Sequence, residues 1–374
     1  MTTPLTTALV PLVVFAVAFA LSALLVPVAA GLARRYGILD APGTRKVHAV
    51  PTPRIGGVAV WASFTTVVLV GFLGAPLLAR APVVKEAFAA PLALLQDAYR
   101  VESKLLALVL GGTLAFVVGL LDDVLGSRFG PGRKLAGQFL AAIVLVAAGI
   151  KTDVLYFDAL NVALTLVWVV GITNAFNLLD NMDGLSAGVA FIACLVLLLN
   201  AWLLGEFFVS LVLVALMGSL FGFLVYNWHP ASIFLGDCGS LFVGFTLASL
   251  TLMERYVTRA SSTYFPVLMP VLVLALPILD TATVVFIRVR EGRPIYIGDS
   301  RHLSHRLVSL GMSRPLAVGT IYLIALGISL GAVGLAHARL VQSLIILVQS
   351  LAVVAVVLVL LFYERETPDR PGER

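Results

Sequence analysis

Two adjacent carboxylates, Asp122 and Asp123, are the side chains of this sequence that most clearly suggest chemistry. They close an apolar run, 105–121, that is long enough to cross a membrane. Neighbouring carboxylates repel each other and charge near a bilayer is costly, so this placement suggests a function. Such a pair can hold Mg²⁺ together with substrate phosphates, or accept a proton. The motif alone leaves open a solvated helix end neutralised by the cations of residues 128–134.

A second polar segment, 174–184, is denser in amides and carboxylates. Its five such side chains are Asn174, Asn177, Asp180, Asn181 and Asp183. The three asparagines share one side of a helix, which we expect to end near 181–184. Amides beside carboxylates suit a nucleotide or a hydrated metal ion. Amides that only join membrane helices are the alternative, but this density exceeds what packing requires.

A third polar segment, 227–240, forms a short turn between two apolar runs. In it, Asp237 lies between Gly236 and Gly239, which let the backbone approach a ligand closely. A helix N-terminus attracts phosphate, but a carboxylate there repels it unless a cation bridges the two. Asp237 is therefore predicted to bind a metal ion. The alternative is an ordinary N-terminal helix cap.

Two basic loops complete the polar segments. One places Arg301, His302 and His305 within five residues, a pattern that can clamp phosphate. The first loop, 40–57, adds Lys46 among turn residues and can lie across the same site. For both loops the alternative is positive charge that only orients the chain in the membrane.

The elements that must position these residues are membrane helices. The chain has 374 residues, of which 60% are hydrophobic and 12% charged, with a mean hydropathy of +1.05. The apolar runs lack the alternation of a barrel strand, so we predict an all-α polytopic membrane protein of ten or eleven transmembrane helices. It is expected to form a single integral-membrane domain, 1–374. The predicted spans are residues 5–30, 55–78, 104–121, 134–150, 160–177, 184–204, 207–226, 233–252, 266–287, 316–336 and 340–363.

The distribution of Lys and Arg predicts the orientation. Most of the 25 basic residues fall in alternate connections, which places the N-terminus outside and the tail, 364–374, in the cytoplasm. All the polar segments then share the cytoplasmic face. A transporter or lipid flippase, the main rival class, would place ionisable groups at mid-membrane. Only Asp280 lies well inside a span, and we expect it to be a structural partner for the nearby cations. The pI of about 9.4 reflects inner-loop charge, so no nucleic-acid partner is expected.

In this order, the segments resemble the motifs of the polyprenyl-phosphate N-acetylhexosamine-1-phosphate transferases of glycosyltransferase family 4. The resemblance covers residues 40–311, and the first loop looks more like the WecA and TagO branch than the peptidoglycan translocase. It implies transfer of GlcNAc 1-phosphate, or a related HexNAc 1-phosphate, from a UDP-sugar to undecaprenyl or another polyprenyl phosphate. The products would be UMP and a polyprenyl-diphospho-sugar that initiates a cell-envelope glycan. The resemblance also implies a bacterial inner-membrane enzyme using Mg²⁺, with Mn²⁺ as a substitute, and leaves a homodimer open.

The same resemblance implies roles for individual residues. Asp122, Asp123 and Asp180 would be catalytic, and Asp237 would bind the metal. The nucleotide would be bound by Asn177, Asp183, Asn227 and Phe234, and the phosphates by Lys46, Arg301, His302 and His305.

Two positions depart from the motifs. Ser304 stands where the common His-x-His-His pattern has its middle histidine, and Asn181 stands where glycine is frequent. Either the first and last histidines of the pattern suffice, or phosphate is bound differently here. No carboxylate of the motifs is missing, so we expect an active enzyme.

Overall fold

The computed structural model describes residues 4–40, 51–78, 102–257, 261–294 and 301–362, and these are almost entirely helical. The helices are α1 (Pro4–Tyr36), α2 (Gly57–Leu78), α3 (Glu102–Leu125), α4 (Pro131–Ala147), α5 (Asp158–Leu179), α6 (Leu185–Leu203), α7 (Phe207–Asn227), α8 (Gly236–Met253), α9 (Met269–Val273), α10 (Ala275–Arg290), α11 (Leu303–Ser309), α12 (Arg314–Val333) and α13 (Leu340–Phe362). Two short strands, β1 (Leu39–Asp40) and β2 (Thr52–Pro53), pair antiparallel, with Leu39 opposite Pro53.

The helices confirm the predicted class, an all-α polytopic membrane protein. Among the described residues, nine helices are long and apolar enough to cross a bilayer. A tenth span exists if Phe265–Val273 and α10, which meet at a bend of 68°, count together. The remaining predicted span, 134–150, corresponds to α4. Its 17 residues lie at the short end of what a bilayer requires.

Helix α8 lies at the centre of the bundle and contacts α2, α3, α5, α6 and α7. Every residue from Cys238 to Thr251 is buried. Small residues allow its first turn to approach its neighbours closely. A Cβ on Gly57 of α2 would lie 2.2 Å from the Gly239 backbone, and one on Gly119 of α3 would lie 2.2 Å from the Asp237 carbonyl oxygen. These glycines therefore bring the start of α2 and the end of α3 directly against the start of α8.

The segment before α2 is joined to the segment before α8 by backbone hydrogen bonds. Phe234 N–H donates to the Pro53 carbonyl over 2.8 Å, and Gly56 N–H donates to the Phe234 carbonyl over 2.9 Å. Gly57 N–H continues the pattern to the Leu235 carbonyl. This pairing places Arg54 beside the first turn of α8.

Candidate active site

Asp123 caps the first turn of α8 from the neighbouring helix. Its carboxylate accepts hydrogen bonds from the backbone N–H groups of Asp237 (3.1 Å) and Cys238 (2.9 Å). Arg54 also donates to it, through Nε over 3.0 Å and Nη2 over 2.8 Å. The Asp123 side chain is fully buried. Helix N-termini favour anions and a buried carboxylate needs such partners, so these donors hold the Asp123 carboxyl group in place.

The ion pair with Asp123 also stabilises the charged form of Arg54. Despite partial burial, the negative charge and hydrogen bonds of Asp123 raise the pKa of Arg54 above its ordinary value. The guanidinium is therefore a permanent cation at this end of the bundle.

Asp122, the other member of the pair, faces a different partner. Lys134 of α4 places its Nζ 2.9 Å from Asp122 Oδ2, 2.9 Å from Asn177 Oδ1 and 3.0 Å from Asp237 Oδ2. Three oxygens from α3, α5 and α8 thus converge on one ammonium. The Asp122 and Asp237 side chains are both partly exposed, so this cluster is open to a ligand.

Asn177 links the cluster to the body of α8. Its Nδ2 donates to Asp237 Oδ1 over 2.6 Å and to Ser240 Oγ over 2.9 Å. Because its Oδ1 already accepts from Lys134, both ends of the amide are used. Asn177 therefore fixes the orientation of the Asp237 carboxylate.

Asp180 follows the last residue of α5 and approaches the same cluster. Burial raises its pKa to about 8, with further contributions from the negative charges of Asp237 and Asp123. The Gly236 N–H, which bonds to the carboxylate, opposes this shift only in part. Asp180 therefore holds a proton at neutral pH.

The loop after Asp180 is tied to the turn that follows α7. His229 Nδ1 lies 2.7 Å from Asp183 Oδ2, which also accepts the Ala231 N–H over 3.2 Å. Asn227 accepts the Gly184 N–H over 3.0 Å and donates to the Ile233 carbonyl over 2.9 Å. Both ends of the buried Asn227 amide are thus engaged with the backbone of these two turns.

Phe234 lies between that turn and α8. Its backbone is used in the pairing with the segment before α2, while its ring is only partly buried. Phe234 is therefore a partly buried aromatic residue beside the first turn of α8.

The basic loop is anchored from α10. His302 Nδ1 lies 2.7 Å from Asp280 Oδ2, and Leu303 N–H donates to Asp280 Oδ1 over 2.8 Å. Asp280 is thus a structural partner of this loop, as expected. Arg301 pairs with Glu291. Burial and the neighbouring His302 lower the pKa of His305 below its ordinary value.

The structure therefore brings most of the predicted residues to one end of the bundle. Asp122, Asp123, Asn177, Asp180 and Asp237 form one cluster. Asp183, Asn227 and Phe234 flank it, whereas Arg301 and His302 contact acidic residues of the α10 region. Lys46 lies outside the described residues.

The sequence motifs did not single out two residues of the site, Lys134 and Arg54. From the sequence alone, both are cations without a specific role. A signal for Lys134 was present: it opens the helix that directly follows the carboxylate pair, so it returns to the same membrane face. Nothing comparable singled out Arg54, whose place depends on backbone pairing with residues 234–235.

The described helices thus bring two carboxylates, an amide and an ammonium together at one end of the bundle. Comparison with known proteins defines the class. The sequence model described as glycosyl transferase family 4 matches residues 105–254. A probable undecaprenyl-phosphate N-acetylglucosaminyl 1-phosphate transferase of Bacillus subtilis (strain 168) is 32% identical over 344 residues, covering 90% of this chain and 87% of the relative.

Two further relatives support the same assignment. A decaprenyl-phosphate N-acetylglucosaminephosphotransferase of Mycolicibacterium smegmatis is 33% identical over 371 residues, covering 91% of this chain and 86% of the relative. A phospho-N-acetylmuramoyl-pentapeptide-transferase of Halalkalibacterium halodurans is 34% identical over 158 residues, covering only 38% of this chain and 49% of the relative. The chain belongs to glycosyl transferase family 4, within the polyprenyl-phosphate N-acetylhexosamine-1-phosphate transferases, and it is a multi-pass membrane phosphoglycosyltransferase similar to the WecA and TagO enzymes.

Proposed function

We propose that this protein transfers N-acetylglucosamine 1-phosphate from UDP-GlcNAc to undecaprenyl phosphate or a related polyprenyl phosphate, releasing UMP. The observation that carries the proposal is the convergence of Asp122, Asn177 and Asp237 on Lys134 at the membrane edge. With a bridging cation, such a cluster can bind two anionic substrates together, one from the bilayer and one from water. Two relatives that cover most of the chain both carry N-acetylglucosamine in their names, which supports the sugar.

The donor set of the cluster fits Mg²⁺. Mg²⁺ prefers oxygen ligands and takes one or two carboxylates, with substrate phosphates completing its shell. The oxygens of Asp122, Asn177 and Asp237 already surround a cation, the Lys134 ammonium. Asp237 would hold the metal ion, with Asp122 as the nearest second carboxylate. When bound, Mg²⁺ would neutralise charge on the diphosphate of the donor.

In the reaction, an oxygen of the lipid phosphate attacks the β-phosphorus of the UDP-sugar. A new phosphorus–oxygen bond forms and the bond between the β-phosphorus and the bridging oxygen breaks, so UMP leaves with that oxygen. Asp122, partly exposed at the cluster, accepts any proton still held by the lipid phosphate. Lys134 stabilises the negative charge that accumulates between the two phosphates.

The other carboxylates have supporting roles in this proposal. Asp123 is a positioning residue, because its oxygens accept Arg54 and two backbone N–H groups and its side chain has no solvent contact. Asp180 remains a catalytic candidate as a protonated acid at the cluster. The nucleotide lies beside Asp183 and Phe234, and Asn227 holds their two turns together.

The experiment is UMP release by the full-length protein in detergent, with undecaprenyl phosphate, Mg²⁺ and a panel of UDP-sugars. We expect UMP from UDP-GlcNAc that depends on the lipid and stops with EDTA. UMP release from UDP-GalNAc or another HexNAc donor instead would support the same reaction with a different donor sugar. A folded protein that releases no UMP from any donor would contradict the proposal and favour a flippase.

We also propose that the carboxylate cluster faces the cytoplasm, where UDP-sugars are found. Both native cysteines, Cys194 and Cys238, are buried, so an introduced cysteine reports without background. Ser309→Cys, exposed at the end of α11, should react with a membrane-impermeant thiol reagent in inverted vesicles and stay unlabelled in intact cells. The opposite pattern would reverse the orientation.

A further inference from the structure

The two positions at which the sequence departs from the motifs, Asn181 and Ser304, are in direct contact. Ser304 Oγ donates a hydrogen bond to Asn181 Oδ1 over 2.6 Å. The positions are 123 residues apart and lie on different elements, one in the loop after α5 and one in α11. Two unusual residues that meet so closely suggest that they act as a unit.

Each partner is fixed in orientation by its surroundings. The Asn181 amide donates through Nδ2 to the Leu178 carbonyl over 2.9 Å, which turns its Oδ1 toward α11. Ser304 is 1% exposed, and its neighbours Leu303 and Leu307 are also buried. The Ser304 hydroxyl is therefore shielded from water, in a place where an unpaired group is costly, while Asn181 is partly buried.

The contact joins the two sides of the proposed donor site. Asn181 lies between Asp180, at the carboxylate cluster, and Asp183, at the turn after α7. Ser304 lies between His302 and His305 of the basic loop. A hydrogen bond between them sets the distance from the nucleotide loop to the loop predicted to clamp phosphate.

We propose that Asn181 and Ser304 are paired positioning residues, whose hydrogen bond holds the basic loop over the nucleotide loop and sets affinity for the UDP-sugar. This inference rests on the proposed function. Neither side chain needs to touch the reacting phosphorus, so the pair acts on donor binding more than on the chemical step.

A double-mutant cycle in the full-length protein tests the pair. Asn181→Ala and Ser304→Ala should each raise the KM for UDP-GlcNAc roughly five-fold, the effect of one lost hydrogen bond, with kcat little changed. The double variant should be no worse than the more impaired single variant. Ser309→Ala is the matched control, because Ser309 lies on the same helix but bonds only to the Arg306 carbonyl among the described contacts and is exposed.

Independent, multiplying effects of the two substitutions would overturn the pairing, as would an unchanged KM in both single variants. A fall in kcat at constant KM would also overturn it. The same double-mutant cycle can be measured without turnover, by calorimetric titration of each variant with UMP in the absence of lipid. If the wild type releases no UMP but binds it and the cycle still shows coupling, the proposed reaction fails while the pair stands. If the wild type does not bind UMP, both fail.

A swap experiment tests the fit of the two side chains. An imidazole at position 304 would need the space that the Asn181 side chain fills, since Ser304 is already buried against it. Ser304→His alone should therefore lower the apparent unfolding temperature and raise the KM. Adding Asn181→Gly should restore the unfolding temperature, whereas the KM should stay raised because the hydrogen bond is absent. If the Ser304→His single variant is as stable as the double variant with Asn181→Gly, the two positions are not matched.

Discussion

The two ends of α8 bury carboxylates in opposite ways. At its N-terminal end, Asp123 receives backbone N–H groups and Arg54, and Asp237 receives Lys134 and Asn177. At its C-terminal end, Glu254 is 6% exposed and bonds to neutral partners, the Asn200 amide over 2.7 Å and, more weakly, the Tyr256 hydroxyl over 3.4 Å.

The helix itself contributes to this difference. Unsatisfied N–H groups at a helix N-terminus attract an anion, whereas the carbonyl groups at its C-terminus repel one. Burial and the charge of Glu206 raise the pKa of Glu254 to about 8, so it is protonated at neutral pH. Arg255, the adjacent cation, pairs with Glu206 instead. One end of α8 therefore holds carboxylates with cationic partners, and the other end holds a neutral carboxyl group.

The largest expected effect comes from removing the carboxylate at the charged end. Asp237→Asn should reduce turnover by about 10³-fold or more, because it removes the proposed metal ligand. UMP release in detergent measures this. Asp158→Asn, an exposed aspartate paired with Lys151, is the matched control and should turn over normally. Wild-type turnover by folded Asp237→Asn would remove Asp237 from the metal site.

A smaller loss is expected from removing the ammonium shared by that cluster. Lys134→Met should lower turnover roughly 100-fold, since one preorganised cation no longer stabilises the reacting phosphates. Lys134→Arg should restore little, because a planar guanidinium cannot replace a point charge among three oxygens. Lys151→Met, at an exposed ion pair, is the control. If Lys134→Met turns over at close to the wild-type rate, the difference in charge between the two ends of α8 has no catalytic role.

A third prediction concerns stability at the same end. Arg54→Ala leaves the buried Asp123 charge without its cation and should destabilise the protein by about 3 kcal/mol. The double variant Arg54→Ala/Asp123→Asn should recover part of this loss. Thermal unfolding in detergent measures both, with Arg255→Ala as the control, because Arg255 is 83% exposed. An unchanged unfolding temperature in Arg54→Ala would mean that backbone N–H groups alone stabilise Asp123.

The smallest effect is expected at the neutral end, and it depends on pH. Folded Glu254 keeps its proton to about pH 8, whereas the unfolded chain releases it near 4.5. The folded state therefore binds more protons between these values, so stability falls as the pH rises through this window. The unfolding temperature should decline from pH 6 to 9 in the wild type and less steeply in Glu254→Gln. Equal slopes would place the titrating group elsewhere, and turnover near pH 7 should not change.

Much of this arrangement could be predicted from sequence. Hydropathy defined the membrane helices, and the clustering of Asp and Asn at span ends predicted that 122–123, 174–184 and 227–240 meet at one face. The α4 span was harder to define, because 17 residues are barely enough to cross a bilayer. The contact between Asn181 and Ser304 could not be predicted, since nothing in a single sequence relates positions 123 residues apart.

The residue types and their order by themselves determined that this chain lies in a membrane and belongs among the polyprenyl-phosphate sugar-phosphate transferases. Only the tertiary structure distinguished Asp122 from Asp123. The two are equivalent in sequence, but consecutive residues on a helix point about 100° apart. Because α3 meets α8 at Gly119, one carboxylate is buried against the α8 N-terminus and the other faces Lys134. Packing, which depends on the whole fold, decided which of them is open to solvent.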